Sequence, residues 1–354
     1  MIFKPHKRNL VTLALLPLGL IFLFAGSGQA NAQDAIPEIV VQGLNNPSGV
    51  AIQPNTGHVF VADSGAGRIV RVIGVKAEPV ITNFPTENYG TNPTYKIGPL
   101  GLLFLDEETL VVGGGGLPDG KDLLRVFKVP TVGEEPIKAS ETFGNPIGLP
   151  ADDPEQLDAK PGEGDFYGLA QGSKGIFVTC NGDDTQGWVS LATLNPNKQI
   201  NTFSRSIATT AATVVDAPVA ITISPERYLA IGQMGEVEDI QDSLLVFYSQ
   251  SGTKLGVYRT GLNDITGLAY GPRHNRLFAL DFNWANPKRG GLYKLVKMNS
   301  DTECEPVLMS QLEKPTALAF TQTGDCYITL AGSANGKPDG KLIIIRQLDI
   351  DPNK

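Results

Sequence analysis

A chain of 354 residues, 41% hydrophobic and 19% charged, is long enough to bury a large core as one or two domains. Its formal net charge of −8 argues against sequence-independent binding to nucleic acid or anionic lipid, since both would repel it. Forty glycines and twenty-five prolines are spread over the whole length, which marks many turns. No long stretch shows helical apolar spacing, and short runs rich in Val, Ile, Leu and Phe recur instead, so the chain reads as all-β.

Residues 1–32 read as a signal peptide. Lys4, Lys7 and Arg8 precede an apolar run from Leu10 to Ala25, and Ala30-Asn31-Ala32 supplies the small-x-small pattern of a cleavage site. That run is 16 residues, short of the ~20 needed to span a membrane as a helix. Cleavage after Ala32 would take the net charge from −8 to −11 and leave residues 33–354 as an exported domain, periplasmic or secreted. No later segment reads as membrane-spanning.

The exported part repeats one pattern: a small residue leading an apolar strand, a turn, a second strand, a polar loop and a third strand. The first copy runs Pro47-Ser48-Gly49-Val50-Ala51-Ile52, then Val59-Phe60-Val61-Ala62-Asp63, then Arg68-Ile69-Val70-Arg71-Val72. Later copies start at Gly101, Gly168, Ala220, Gly267 and Ala317, giving spacings of 52, 67, 52, 47 and 50 residues. Those intervals approach the ~40–50 residues of a propeller blade, with the excess in loops. The expectation is a six-bladed β-propeller with four strands per blade. Small residues suit the innermost strands, where six strands crowd one axis. Ile36–Val41 has no blade before it and Lys341–Ile345 has no fourth strand after it, so the N-terminal strand is expected to close the last blade.

Asn46-Pro47-Ser48-Gly49-Val50-Ala51, followed by Val59-Phe60-Val61-Ala62-Asp63-Ser64 and Arg68-Ile69, resembles an NHL repeat. The resemblance implies a propeller that often serves as a binding platform, in a wider superfamily that includes gluconolactonase-type, calcium-dependent hydrolases. In those the metal polarises a lactone carbonyl and activates water. Where that family carries a Glu early in the first blade, this sequence has Asn45, Asn46 and Pro47.

Strand parity puts loops between second and third strands on the same face as loops between blades. Nearly all the elaboration falls there: 84–97, 144–165, 113–121, 232–241, 281–290 and 331–340. Turns on the other face, such as 54–57 and 272–275, are tight. Function usually sits on such elaborated loops over a rigid frame. The expected ligand contacts at the channel mouth are Tyr167, Asn181, Gln233, Asn283 and Trp284, with Tyr89, Tyr95 and Met234 as further interface candidates. Asp63, Asp264 and Asp281 are the candidate calcium ligands; capping of turns is the alternative role for each.

Other chemistries lack their parts. His6 falls in the signal peptide, and His58 and His274 fall in turns away from the mouth, so a Ser–His–Asp base is missing from the site. Cys180, Cys304 and Cys326 form no zinc pattern, and an odd number leaves at least one thiol outside any internal disulfide. Gly113–Gly116 is not followed by the Gly-Lys-Ser/Thr of a phosphate loop. Three functions remain: an exported non-catalytic module binding a protein or glycan, a calcium-dependent lactonase or esterase, and a structural envelope protein. A monomer is expected in each case.

Overall fold

The structure is a computed structural model that describes residues 35–90, 93–149, 164–181, 187–237, 241–297 and 302–349. The expected signal peptide therefore lies outside the described residues. Among those described, no helix is long and apolar enough to cross a membrane.

Strand β1 (Pro37–Leu44) precedes the first blade. Blade 1 is β2 (Pro47–Ile52), β3 (Val59–Asp63), β4 (Arg68–Ile73) and β5 (Lys76–Thr82). A hairpin, β6 (Glu87–Tyr89) and β7 (Tyr95–Ile97), leads into blade 2: β8 (Pro99–Phe104), β9 (Thr109–Gly114) and β10 (Arg125–Lys128). After β11 (Ile137–Lys138), blade 3 is β12 (Leu169–Gln171), β13 (Ile176–Asn181), β14 (Gly187–Leu194) and β15 (Ile200–Ala208), followed by the one-turn helix α1 (Thr209–Thr213). Blade 4 is β16 (Pro218–Ile223), β17 (Leu229–Gln233), β18 (Leu244–Tyr248) and β19 (Lys254–Arg259). Blade 5 is β20 (Ile265–Tyr270), β21 (Leu277–Asp281), β22 (Gly291–Lys297) and β23 (Cys304–Gln311). Blade 6 holds β24 (Pro315–Phe320), β25 (Cys326–Leu330) and β26 (Gly340–Ile345).

The N-terminal strand does close the ring: β1 pairs antiparallel with β26, from Pro37 opposite Ile345 to Leu44 opposite Gly340. This gives blade 6 its fourth strand and removes an open sheet edge.

The second strands are apolar along most of their length because both their faces are covered. Phe60 and Ala62 pack into the seam with blade 2, while Val59 and Val61 pack into the seam with blade 6. All six anchors expected on the inner strands line the central channel. A Cβ on Gly168 would stand 2.7 Å from the Val219 carbonyl oxygen, and Gly49 and Gly101 meet the Leu100 and Tyr167 carbonyls in the same way. Side chains at these three positions would push the blades apart.

Blade 2 departs from the expected four strands. It has three, and β11 instead runs parallel beside β5 of blade 1, Ile137 opposite Ile81. Ile137 packs against the apolar cluster between blades 1 and 2, and burial there holds the segment outside its own blade's sheet. The three cysteines are buried and free, with no bridge between Cys304 and Cys326.

Candidate functional site

The segment 84–97 carries two short strands, β6 and β7. It folds back through β6 and β7 and lies over the channel mouth. The Asn46 side-chain amide donates to the Lys96 carbonyl at 3.0 Å, and the Asn335 backbone N–H donates to the Thr94 carbonyl at 2.7 Å, tying the hairpin to blade 6. Tyr95 packs edge-on against Trp284 and Phe282, with ring centroids 5.3 and 6.2 Å away, and the Lys314 ammonium sits 5.6 Å from its centre. Beneath this lid the channel narrows to a mainly apolar cavity of about 50 Å³, lined by Asn46, Tyr89, Tyr95, Tyr167, Asn181, Met234, Trp284 and others.

Of the expected contacts, Tyr167, Asn181 and Trp284 thus come together, with Tyr89, Tyr95 and Met234. Gln233 and Asn283 are buried and spent on local structure. Gln233 donates to Thr213 Oγ1 at 3.0 Å and to the Val215 carbonyl, fastening α1 to β17. Asn283 accepts from the Asn286 N–H at 3.0 Å. No sequence signal separates such residues from ligand contacts.

The three candidate calcium ligands do not fit one ion. Asp63 accepts from the Asn45 N–H at 2.6 Å and from Arg68 Nε at 2.7 Å. Asp281 accepts from the Asp264 and Asn263 N–H groups at 2.9 and 3.3 Å, and Asp264 accepts from the Trp284 N–H. In blades 1 and 5 alike, the acid ending the second strand caps the chain entering the first strand. Burial raises the pKa of Asp63 and of Asp281, the backbone N–H donors partly opposing it. Among the described residues no group of three or more His, Cys, Asp or Glu side chains is placed to hold a metal.

A larger cleft, about 580 Å³, opens outside the lid. Tyr89, Met234 and Trp284 supply apolar walls, while Glu87, Asp119 and Asp165 supply carboxylates. Burial and the neighbouring Asp119 raise the Glu87 pKa. Beside the cleft, Asp122 is buried, accepts from the Leu117 and Asp165 N–H groups at 3.2 and 3.3 Å, and is pushed up to about 7, chiefly by burial. Sequence reading passed over Glu87 and Asp122. The signal present was Glu87-Asn88-Tyr89 and Tyr95-Lys96-Ile97 on either side of the sequence Gly90-Thr91-Asn92, a hairpin pattern in miniature.

A family model for the NHL repeat matches residues 44–71, which is β2, β3 and most of β4. Residues 44–71 are an NHL repeat. No curated protein sequence matches the chain. Among solved structures, the PQQ-bound aldose sugar dehydrogenase of Streptomyces coelicolor superposes with a TM-score of 0.59 at 15% identity, covering 88% of this chain and 98% of that one. A gluconolactonase of Xanthomonas campestris gives 0.52 at 10% identity over 87% and 88% of the two chains. A luciferin-regenerating enzyme gives 0.55 at 10% identity over 89% and 96%. The NHL repeat in blade 1 therefore sits in a six-bladed propeller shared with gluconolactonase-type and sugar-dehydrogenase proteins. At these identities the likeness is one of fold.

Proposed function

We propose that the protein, exported through its N-terminal segment, recognises a carbohydrate-derived ring in the cleft outside the lid. The observation that carries this reading is the juxtaposition of Tyr89 and Trp284 with the carboxylates of Glu87, Asp119 and Asp165 in one space of about 580 Å³. That volume lies in the ~300–1,000 Å³ range of small-ligand sites. A sugar ring presents an apolar C–H face, which suits an aromatic wall, and hydroxyl donors, which suit ionised carboxylates. The structural neighbours named for sugar and sugar-lactone chemistry support the same ligand class.

A second reading, hydrolysis of a lactone or ester so bound, is favoured by the Asp122 pKa near 7 beside Asp165. A carboxyl that changes protonation near neutral pH, next to one that lines the cleft, suits acid–base catalysis. In this reading water attacks the carbonyl carbon and gives its proton to Asp165, which returns it to the ring oxygen as the bond between that oxygen and the carbonyl carbon breaks. The chain's own carboxyls perform the proton transfers.

The test is calorimetric titration with aldoses, aldonates and aldonolactones in the presence of EDTA, with lactone turnover followed in parallel. Trp284→Ala is expected to weaken binding at least about tenfold. Turnover lost in Asp165→Asn with binding retained supports hydrolysis; binding without turnover leaves recognition alone. Failure of every sugar and lactone to bind the intact protein would rule out both readings.

A further inference from the structure

The six seams between blades share one equivalent position. Two residues after each small anchor, the cross-strand partner on the second strand faces the next blade. Around the ring that partner is Phe60, Val111, Phe177, Ala230, Phe278 and Tyr327. Blade 4 alone has Ala there, and the seam it faces, between blades 4 and 5, holds a cavity of about 680 Å³. This cavity is distinct from the cleft at the looped face. It opens beside the tight 272–275 turn on the opposite side of the ring.

Its floor is Leu245, Leu277, Leu295 and Cys304, which pack in the same apolar cluster as Ala230. Half-buried aromatic rings form its walls: Phe247 and Tyr258, edge-to-face at 5.9 Å, and Tyr270. A Cβ on Gly256 would stand 2.9 Å from the Tyr258 ring, so glycine is what lets that ring lie where it does. The outer edges of the two blades touch, the Arg259 N–H donating to the Thr302 carbonyl at 2.9 Å. At the rim, Tyr228, Leu255 and Val296 are 42%, 48% and 37% exposed, which places three large exposed apolar side chains at one opening.

The charge at this opening runs against that of the whole protein. Among the described lining residues, Arg276, Lys294 and Lys297 stand against the one acid Glu226, in a chain whose net charge is −8. Lys297 shares a strand face with Leu295 of the floor and Tyr293, by the alternation of β22. Neither Lys294 nor Lys297 makes an ion pair among the described residues.

From this geometry we propose that the seam between blades 4 and 5 is a binding site for a small organic anion with a flat apolar body, of the aryl carboxylate class. Its rings lie between Phe247, Tyr258 and Tyr270, and its carboxylate meets Lys297 and Arg276. The apolar walls supply area burial and the cations select the charge.

The test uses the full-length protein and 2-naphthoate, with 2-naphthalenemethanol and 2-naphthylmethylamine as neutral and cationic counterparts. Naphthoate is expected to bind saturably and more tightly than either. Lys297→Glu should weaken naphthoate about tenfold or more while changing the neutral compound less than about twofold. Naphthoate should also slow alkylation of Cys304, which lines the cavity, whereas Cys180 and Cys326 are fully buried. Trp284→Ala should leave all of this unchanged, which separates this site from the sugar cleft. Absence of saturable binding, equal binding of the amine, indifference to Lys297→Glu, or no protection of Cys304 would each overturn the proposal.

Discussion

The seam between blades 1 and 2 and the seam between blades 4 and 5 are built on the same strand register and filled oppositely. In the first, Phe60 is fully buried and meets Phe104 edge-on at 4.9 Å, and Phe84 meets Phe127 at 5.8 Å. Opposite Phe60 on the third strand is Arg71, which donates to Glu78 and to the Pro130 carbonyl and pins the outer edge. In the second seam, Ala230 takes the place of Phe60 and Phe247 the place of Arg71. The ring has moved one strand outward, from full burial to half-burial, and a cavity replaces the packed edge. Ring closure constrains the inner strands tightly, but the outer part of one seam can be left open without breaking the circle.

The largest expected effect comes from emptying the filled seam. Phe60→Ala should cost about 3–5 kcal/mol in urea unfolding, since the ring is fully enclosed and its neighbours can relax only partly. A loss of under about 1 kcal/mol would mean that the seams are not rigid.

The seam between blades 2 and 3 shows a third solution near its looped end, where a buried carboxyl takes up the space. A Cβ on Gly164 would stand 2.9 Å from an oxygen of Asp122. The Asp122 pKa is raised from 3.8 to about 7, so the folded state holds a proton that the unfolded chain has released between those values. Its contribution to stability is therefore greatest below about pH 4 and declines as pH rises to about 7, by a few kcal/mol in all. Asp122→Asn should flatten that slope in denaturation curves taken from pH 4 to 7; an unchanged slope would refute the assignment.

The smallest effect sharpens the comparison most directly. Ala62→Val adds two methyl groups to the filled seam and should cost about 1–3 kcal/mol through overpacking. Ala230→Val adds the same volume to the cluster that floors the open seam and should cost less. Equal losses, measured by thermal unfolding, would show that the cavity gives no room to its neighbours.

How far the sequence could be read differs between frame and site. The anchors Gly49, Gly101, Gly168, Ala220, Gly267 and Ala317 marked the inner strands correctly, and the unpaired Pro37–Leu44 segment marked the closure. Local signals of this kind are imposed by crowding at the axis and by backbone pairing, which every blade must satisfy. Among the mouth residues, Tyr167, Asn181 and Trp284 were legible as a group, while Gln233 and Asn283 were not distinguishable from residues holding their own turns. Asp63 and Asp281 recur at the ends of second strands and cap the incoming chain, and Asp264 accepts from the Trp284 N–H, an arrangement that looks the same in sequence as a ligand set.

The sixfold repeat, the closing strand and the small residues at the axis are therefore properties of the sequence alone, because each depends on period, pairing and residue size. The lid over the channel, the cleft beside Glu87, the cavity in the seam that Ala230 faces and the placement of β11 were decided only by tertiary structure. Each depends on how side chains from segments far apart in the chain divide one volume, and no local pattern records that division.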